Sequence, residues 1–176
     1  MKVIYISGKA RHGKDTLAGI LKDYLESQGN RVIIAHFGDL VKYICEKFFD
    51  WDGQKNIEGR TLLQYVGTDV VRTQEPDYWI NFIKSVLTLF PNEWDYVLIP
   101  DCRFPNEIEC FKDGNFDSYL IRINRPNCDS GLTKEQLNHP SETAMDNYIA
   151  NCYVENNSSL EALVSKAPAI IQALGG

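Results

Sequence analysis

The segment Gly8-Lys9-Ala10-Arg11-His12-Gly13-Lys14-Asp15-Thr16 carries two spaced glycines with a lysine directly after the second. This G-x-x-x-x-G-K spacing lets consecutive backbone N–H groups curl around an anion, and a helix starting at the lysine adds the positive end of its dipole. The chemistry it points to is phosphate binding. Lys14 should reach the β- and γ-phosphates of a nucleoside triphosphate and offset the charge that develops during transfer. Asp15 stands where such loops usually carry Ser or Thr, with Thr16 next. Mg2+ would then be held by a carboxylate, through water, or by a shifted hydroxyl. Arg11 adds positive charge beside the phosphates, and a solvated surface arginine is an equal reading of it.

Asp101 follows the apolar run Tyr96-Val97-Leu98-Ile99-Pro100, where an acidic residue that helps hold Mg2+ would sit. The alternative is an N-cap for the helix that Pro105 starts. Arg103, at the carboxyl end of the same strand, would face the crevice where open α/β sheets bind ligands, and its planar fork suits a phosphate. Arg72 and Trp79 supply a cation and a flat ring on neighbouring helices, and Gln64 supplies an amide. Trp79 reads equally well as a core aromatic. Arg125 enters a polar segment and could close on phosphates from within the chain, or be a surface residue. Cys102 has no identifiable base partner and is expected to pack rather than react. His12, His36 and His139 make no metal-ligand spacing with the cysteines, so no structural zinc is expected.

These residues need elements to place them. The β-branched and aromatic run over 3–7 predicts a buried strand ending at the glycine loop. Leu17, Ile20, Leu21, Tyr24 and Leu25 fall three and four apart and predict a helix over 14–27, stopped by Gly29-Asn30. A second strand over 31–37 should pair in parallel through a right-handed crossover. Helices are expected over 39–49, 60–73 and 77–90, with strands over 96–100, 118–124 and 152–155 and a short helix from Pro105. The polar excursion over 125–147, with Pro126, Gly131 and Pro140, reads as a lid or binding loop. Ser158-x-x-Glu161 is a capping box for a terminal helix towards Leu174, which Pro168 should kink or split.

With 176 residues, 44% hydrophobic and 24% charged, the chain fits one globular domain over 1–176. The net charge of −6 disfavours a broad nucleic-acid or anionic-membrane surface, so phosphate chemistry must rely on local basic clusters. Five cysteines without a C-x-x-C pair fit reduced thiols. Neither a signal peptide nor an 18-residue apolar span is legible, and a cytoplasmic protein is expected, in the host cytoplasm if phage-encoded.

Four segments together resemble the phage-type deoxynucleoside monophosphate kinases. They are the loop from Gly8 to Thr16, Gly67-Thr68-Asp69-Val70-Val71-Arg72 with Pro76-Asp77-Tyr78-Trp79, Asp101-Cys102-Arg103-Phe104-Pro105-Asn106-Glu107, and His139-Pro140-Ser141-Glu142-Thr143-Ala144. The first and third also resemble animal-type phosphomevalonate kinase. The resemblance implies an α/β P-loop nucleoside-monophosphate-kinase-like fold in three layers, with a parallel sheet of about five strands. It also implies a helical acceptor-binding insertion over 38–92 and a lid over 125–147. Lys9, Lys42, Gln64, Arg72, Trp79, Arg103 and Glu142 fall on the acceptor side, and Gly8, Arg11, Gly13, Lys14, Asp15 and Thr16 on the ATP side. Asp39-Leu40-Val41-Lys42 departs from the Asp-Pro-Leu-Lys of relatives, and the part played by Glu142 does not follow from spacing. Lys14, Asp101, Arg103 and Arg125 are the expected catalytic residues, and Asp15, Thr16 and Asp101 the expected Mg2+ ligands. The reaction expected is transfer from ATP to a (deoxy)nucleoside monophosphate. Rivals are a phosphomevalonate-kinase-like or dephospho-coenzyme-A-kinase-like activity and a non-catalytic nucleotide switch. No nucleic-acid polymer or membrane partner is expected, and a homodimer is left open.

Overall fold

Val3 to Ser7 are buried without a break, and so are Val97 to Ile99, which leaves these strands no solvent face and puts them at the centre of a sheet. The computed structural model describes residues 1–112 and 116–175. Its five strands are β1 (Lys2–Ser7), β2 (Val32–Ile34), β3 (Tyr96–Ile99), β4 (Asp117–Asn124) and β5 (Cys152–Glu155). They pair in parallel in the order β2-β3-β1-β4-β5. The predicted parallel sheet is therefore present, but β1 and β2 are not neighbours, because β3 lies between them.

Alternation along the strands divides the core into two layers. Val3, Tyr5, Val97, Ile99 and Leu120 face helices α2 (Gly38–Phe48) and α5 (Tyr78–Leu89). Ile4, Ile6, Leu98, Ile121 and Ile123 face α1 (Lys14–Ser27), α9 (Leu160–Val164) and α10 (Ala167–Ala173). The result is the three-layer arrangement expected for a two-sided parallel sheet. The bounds of α1 are those the periodicity predicts. Pro168 falls in the first turn of α10, where its missing N–H is harmless, so the terminal helix is split. Its first half is capped by Ser159, which accepts from Ala162, rather than by Ser158.

Two other elements differ from expectation. The strand expected over 31–37 shrinks to three residues because Phe37 and Gly38 turn their N–H groups to the Asp101 carboxylate, at 3.1 and 2.8 Å. The helix expected over 60–73 starts earlier and is interrupted. Asn56 caps α3 (Ile57–Gln64) by accepting from Gly59 at 2.8 Å. A π-helical turn over Tyr65–Val70 then precedes α4 (Val71–Gln74). Within that turn the Gly67 carbonyl accepts from the Trp79 indole at 2.9 Å. The remaining helices are α6 (Pro105–Glu109), α7 (Lys134–Asn138) and α8 (Pro140–Thr143). Among the described residues no helix is long and apolar enough to cross a membrane. All five cysteines are free, with Cys45 and Cys102 buried.

Candidate active site

The loop from β1 to α1 is shaped by two glycines. A Cβ at Gly8 would lie 2.5 Å from the Ile123 carbonyl oxygen, so only glycine allows the loop to pass this close to β4. Gly13 has φ 95° at the N-cap of α1. Lys14 curls back over the loop and donates to the carbonyls of Gly8 and Lys9 at 2.7 and 2.9 Å. Burial, helped by the nearby Arg103 charge, lowers the Lys14 ammonium pKa to about 8.

A cleft of about 400 Å³ opens beside this loop, at the carboxyl ends of the strands. Arg11, Lys14 and Asp15 line one part of it. His36 Nε2 lies 3.1 Å from Asp15 Oδ1, a contact that holds the Asp15 carboxyl below and the His36 imidazole above their ordinary values. Asp101 also lines the cleft, and both of its oxygens cap the start of α2. It is therefore a cap, but of α2 and not of the helix after Pro105.

Arg72, Arg103, Lys42 and Arg60 bring further cations to the same cleft, with Gln64 and Trp79 also in its lining. Arg72 pairs with the buried Glu107 at 2.7 Å and lies over the Phe104 ring. Arg103 binds Glu142 and donates to the Ser141 carbonyl at 2.9 Å. The other oxygen of Glu142 accepts from Ala10 N–H at 3.2 Å, so α8 is tied to the phosphate loop and to the acceptor-side arginine together. Gln136 of α7 donates to the Ile57 carbonyl and to Thr61, both at 3.2 Å, which brings the 125–147 segment against α3.

Ten of the residues nominated from sequence meet in this one cleft: Arg11, Lys14, Asp15, Lys42, Gln64, Arg72, Trp79, Asp101, Arg103 and Glu142. Trp79 does so as a core residue, 2% exposed, whose indole N–H is already used by Gly67. Lys42 is paired with Asp39 at 2.7 Å. Gly8 and Lys9 line a smaller neighbouring cavity of about 160 Å³, where Lys9 pairs with Asp146. Thr16 is exposed on the first turn of α1, and Arg125 is exposed past β4, its N–H donating to His12 at 3.3 Å; neither lines either cavity. Sequence reasoning missed His36, Lys55 and Arg60 in the cleft and gave Glu107 no role. Arg60, Gln64 and Gly67 are spaced four and then three apart and share the face of α3 and its continuation that lines the cleft, a pattern that could have found Arg60.

A family model for deoxynucleotide monophosphate kinase matches residues 24–167. The chain belongs to this family. A protein of Acanthamoeba polyphaga mimivirus assigned to deoxynucleotide monophosphate kinases is 28% identical over 193 residues, covering 94% of each chain. The deoxynucleotide monophosphate kinase of Enterobacteria phage T4 is 28% identical over 117 residues, covering 65% of this chain and 46% of the phage protein. Among solved structures, an APS kinase of Mycobacterium tuberculosis in complex with AMPPNP and APS superposes with a TM-score of 0.57 at 13% identity, covering 99% and 98% of the two chains. Shikimate kinase from Aquifex aeolicus does so with a TM-score of 0.52 at 16% identity, covering 99% of each. The fold is that of the P-loop kinases, and the deoxynucleotide monophosphate kinase family makes the chain a phosphotransferase acting on nucleotides.

Proposed function

We propose that the chain moves the γ-phosphoryl group of ATP to the phosphate of a deoxynucleoside monophosphate, releasing ADP and the deoxynucleoside diphosphate. The observation that carries this reading is one cleft whose lining includes four cations, Arg11 and Lys14 from the glycine loop and α1 with Arg72 and Arg103 from the segments after β2 and β3. Two phosphorylated ligands meeting there would place an acceptor phosphate oxygen against the γ-phosphorus. The new P–O bond forms as the bond from the γ-phosphorus to its β-bridging oxygen breaks, and the electron pair leaves on ADP. An acceptor phosphate is already a competent nucleophile, so positioning and electrostatics carry the chemistry without a strong general base.

In this reading Lys14 leaves the carbonyls of its own loop for the donor phosphates, whose charge would restore a proton lost near pH 8. Arg72 and Arg103 hold the acceptor phosphate, and residues 38–92 form the acceptor-binding region. Residues 125–147 act as the lid: α7 and α8 bring Ser141 and Glu142 to the cleft wall, which would exclude water and suppress ATP hydrolysis. Arg125, exposed at the start of this segment, and Thr16, beside the loop, would reach the donor only from outside the cleft lining.

The oxygen donors present suit Mg2+. Asp15, its side chain 79% exposed, and Asp101 line the cleft with Lys14. Among the described residues no group of three or more His, Cys, Asp or Glu forms a metal cage. Protein ligation would thus be limited to one or two carboxylates, the usual case where phosphates and waters complete the shell. Bound there, Mg2+ would neutralise charge on the donor phosphate oxygens.

An ADP-release screen of every common NMP and dNMP, with phosphomevalonate and dephospho-coenzyme A alongside, tests the acceptor class. Stimulation by dNMPs supports the proposal. ATP binding without acceptor-stimulated release would favour a nucleotide switch.

A further inference from the structure

Glu107 is 1% exposed, sits in the first turn of α6, and has three donors on one carboxylate. One oxygen accepts the N–H groups of Arg103 and Phe104 at 2.6 and 3.0 Å. The other accepts from Arg72 Nη2 at 2.7 Å. The same guanidinium lies with its carbon 4.1 Å from the Phe104 ring centroid and reaches the Pro76 carbonyl at 3.3 Å. Among the described residues Arg72 Nε is buried with no hydrogen-bond partner. Burial pushes the Glu107 carboxyl pKa up, and Arg72 and the two backbone N–H groups work against that rise.

We propose that Glu107 is a positioning residue for the acceptor. Its single carboxylate orients the Arg72 fork and the main chain that carries Arg103, so that the two cations face the acceptor phosphate at a set spacing. This rests on the assignment of Arg72 and Arg103 to that phosphate. The physical gain is preorganisation. An arginine side chain free to sample its rotamers loses that freedom when a ligand orders it, and the loss weakens binding. Here Glu107 and the Phe104 ring order Arg72 in advance, at the cost of burying a carboxylate. The spacing Arg103 to Glu107 within one tight turn makes the coupling local: whatever moves Glu107 moves the Arg103 backbone as well.

Glu107→Gln separates the two jobs of the carboxylate. Its amide oxygen can keep the N–H groups of Arg103 and Phe104, but its NH2 then meets Arg72 donor against donor. The test is steady-state kinetics with ATP and the best dNMP varied separately, for Glu107→Gln, Arg72→Ala and the double variant. Losing a charge-assisted contact should raise the acceptor KM roughly tenfold or more in Glu107→Gln. The ATP KM should change less than about twofold, and adding Glu107→Gln to Arg72→Ala should raise the acceptor KM no further. If Glu107→Gln folds poorly, Glu107→Asp, which keeps the charge one methylene short, is read for the same split: a raised acceptor KM with the ATP KM within about twofold supports the role, and equal losses for both overturn it. Additive effects in the double variant, or equal losses for ATP and acceptor, would mark a purely structural residue and overturn the proposal. An unchanged acceptor KM in Glu107→Gln beside a raised one in Arg72→Ala would overturn it and leave the proposed function standing. An unchanged acceptor KM in Arg72→Ala would overturn both this role and the acceptor assignment beneath it.

Discussion

At rest the Lys14 ammonium is held by two carbonyl dipoles of its own loop, whereas a triphosphate would offer it full negative charges that grow during transfer. Lys14→Ala should therefore raise the transfer barrier by about 3–5 kcal/mol, by analogy with other electrostatic stabilisers. Its thermal midpoint should stay close to that of the unsubstituted protein, because the resting contacts are few. Turnover measured by ADP release checks this; a variant keeping more than about a tenth of the activity removes Lys14 from the chemistry, since one decade is only ~1.4 kcal/mol. Single residues were legible in the sequence where backbone geometry restricts the choice, as at Gly8, Gly13 and Lys14, and where a strand end aims a side chain, as at Asp101 and Arg103. They were not legible where a partner distant in sequence decides. The cap alternative for Asp101 was the nearby helix, yet its oxygens go to Phe37 and Gly38 on another strand's exit. Glu107 faces Arg72, 35 residues away, and no local spacing announces that pair.

Element boundaries show how side chains draw secondary structure. Asp95, at the entry to β3, accepts from the N–H, Nε and Nη2 of Arg31 at 2.8, 3.1 and 2.9 Å, clipping the entry of edge strand β2 to its neighbour. The hydrogen bonds to Arg31 hold the Asp95 carboxyl down at about 2. Because its folded value is below the unfolded one, this contribution to stability is present above the ordinary carboxylate value, near 3.8, and is lost as pH falls from there through about 2. Urea midpoints of the unsubstituted protein and Asp95→Asn should differ at neutral pH and converge only below about pH 2, with the gap also shrinking in high salt because the pair is exposed. A gap that persists at low pH would assign the effect to something other than this ion pair. Periodicity was a reliable guide for α1, whose buried face is long and regular. Between Ile57 and Gln74 it placed a helix but not the earlier start or the π-turn over Tyr65–Val70 that interrupts it.

The whole molecule brings four regions distant in sequence onto one cleft: the loop after β1, the helices after β2, the segment after β3 that holds Asp101 and Arg103, and the segment after β4. The sheet order β2-β3-β1-β4-β5 is what makes this meeting geometric, since β1 lies between the strands that carry Asp101 and the lid. That order was not legible, because apolar strand runs show burial on both faces but not which strand is whose neighbour. The lid reading itself yields a test at Gln136, whose buried amide ties α7 to α3. Gln136→Ala should cost about 0.5–1.5 kcal/mol of stability through the loss of its bonds to α3, since the Ile57 carbonyl keeps the Thr61 hydroxyl at 2.9 Å, and should raise the share of ATP hydrolysed rather than transferred. An unchanged ratio of inorganic phosphate to diphosphate product would deny the 125–147 segment a role in excluding water. The central claim, direct transfer between two ligands in one cleft, is tested most directly by following label from ATP labelled at its γ-phosphate in the presence of each dNMP. The account predicts label in the terminal phosphate of the deoxynucleoside diphosphate with an equal yield of ADP. Label appearing only in inorganic phosphate, or remaining in ATP with every acceptor, would contradict it.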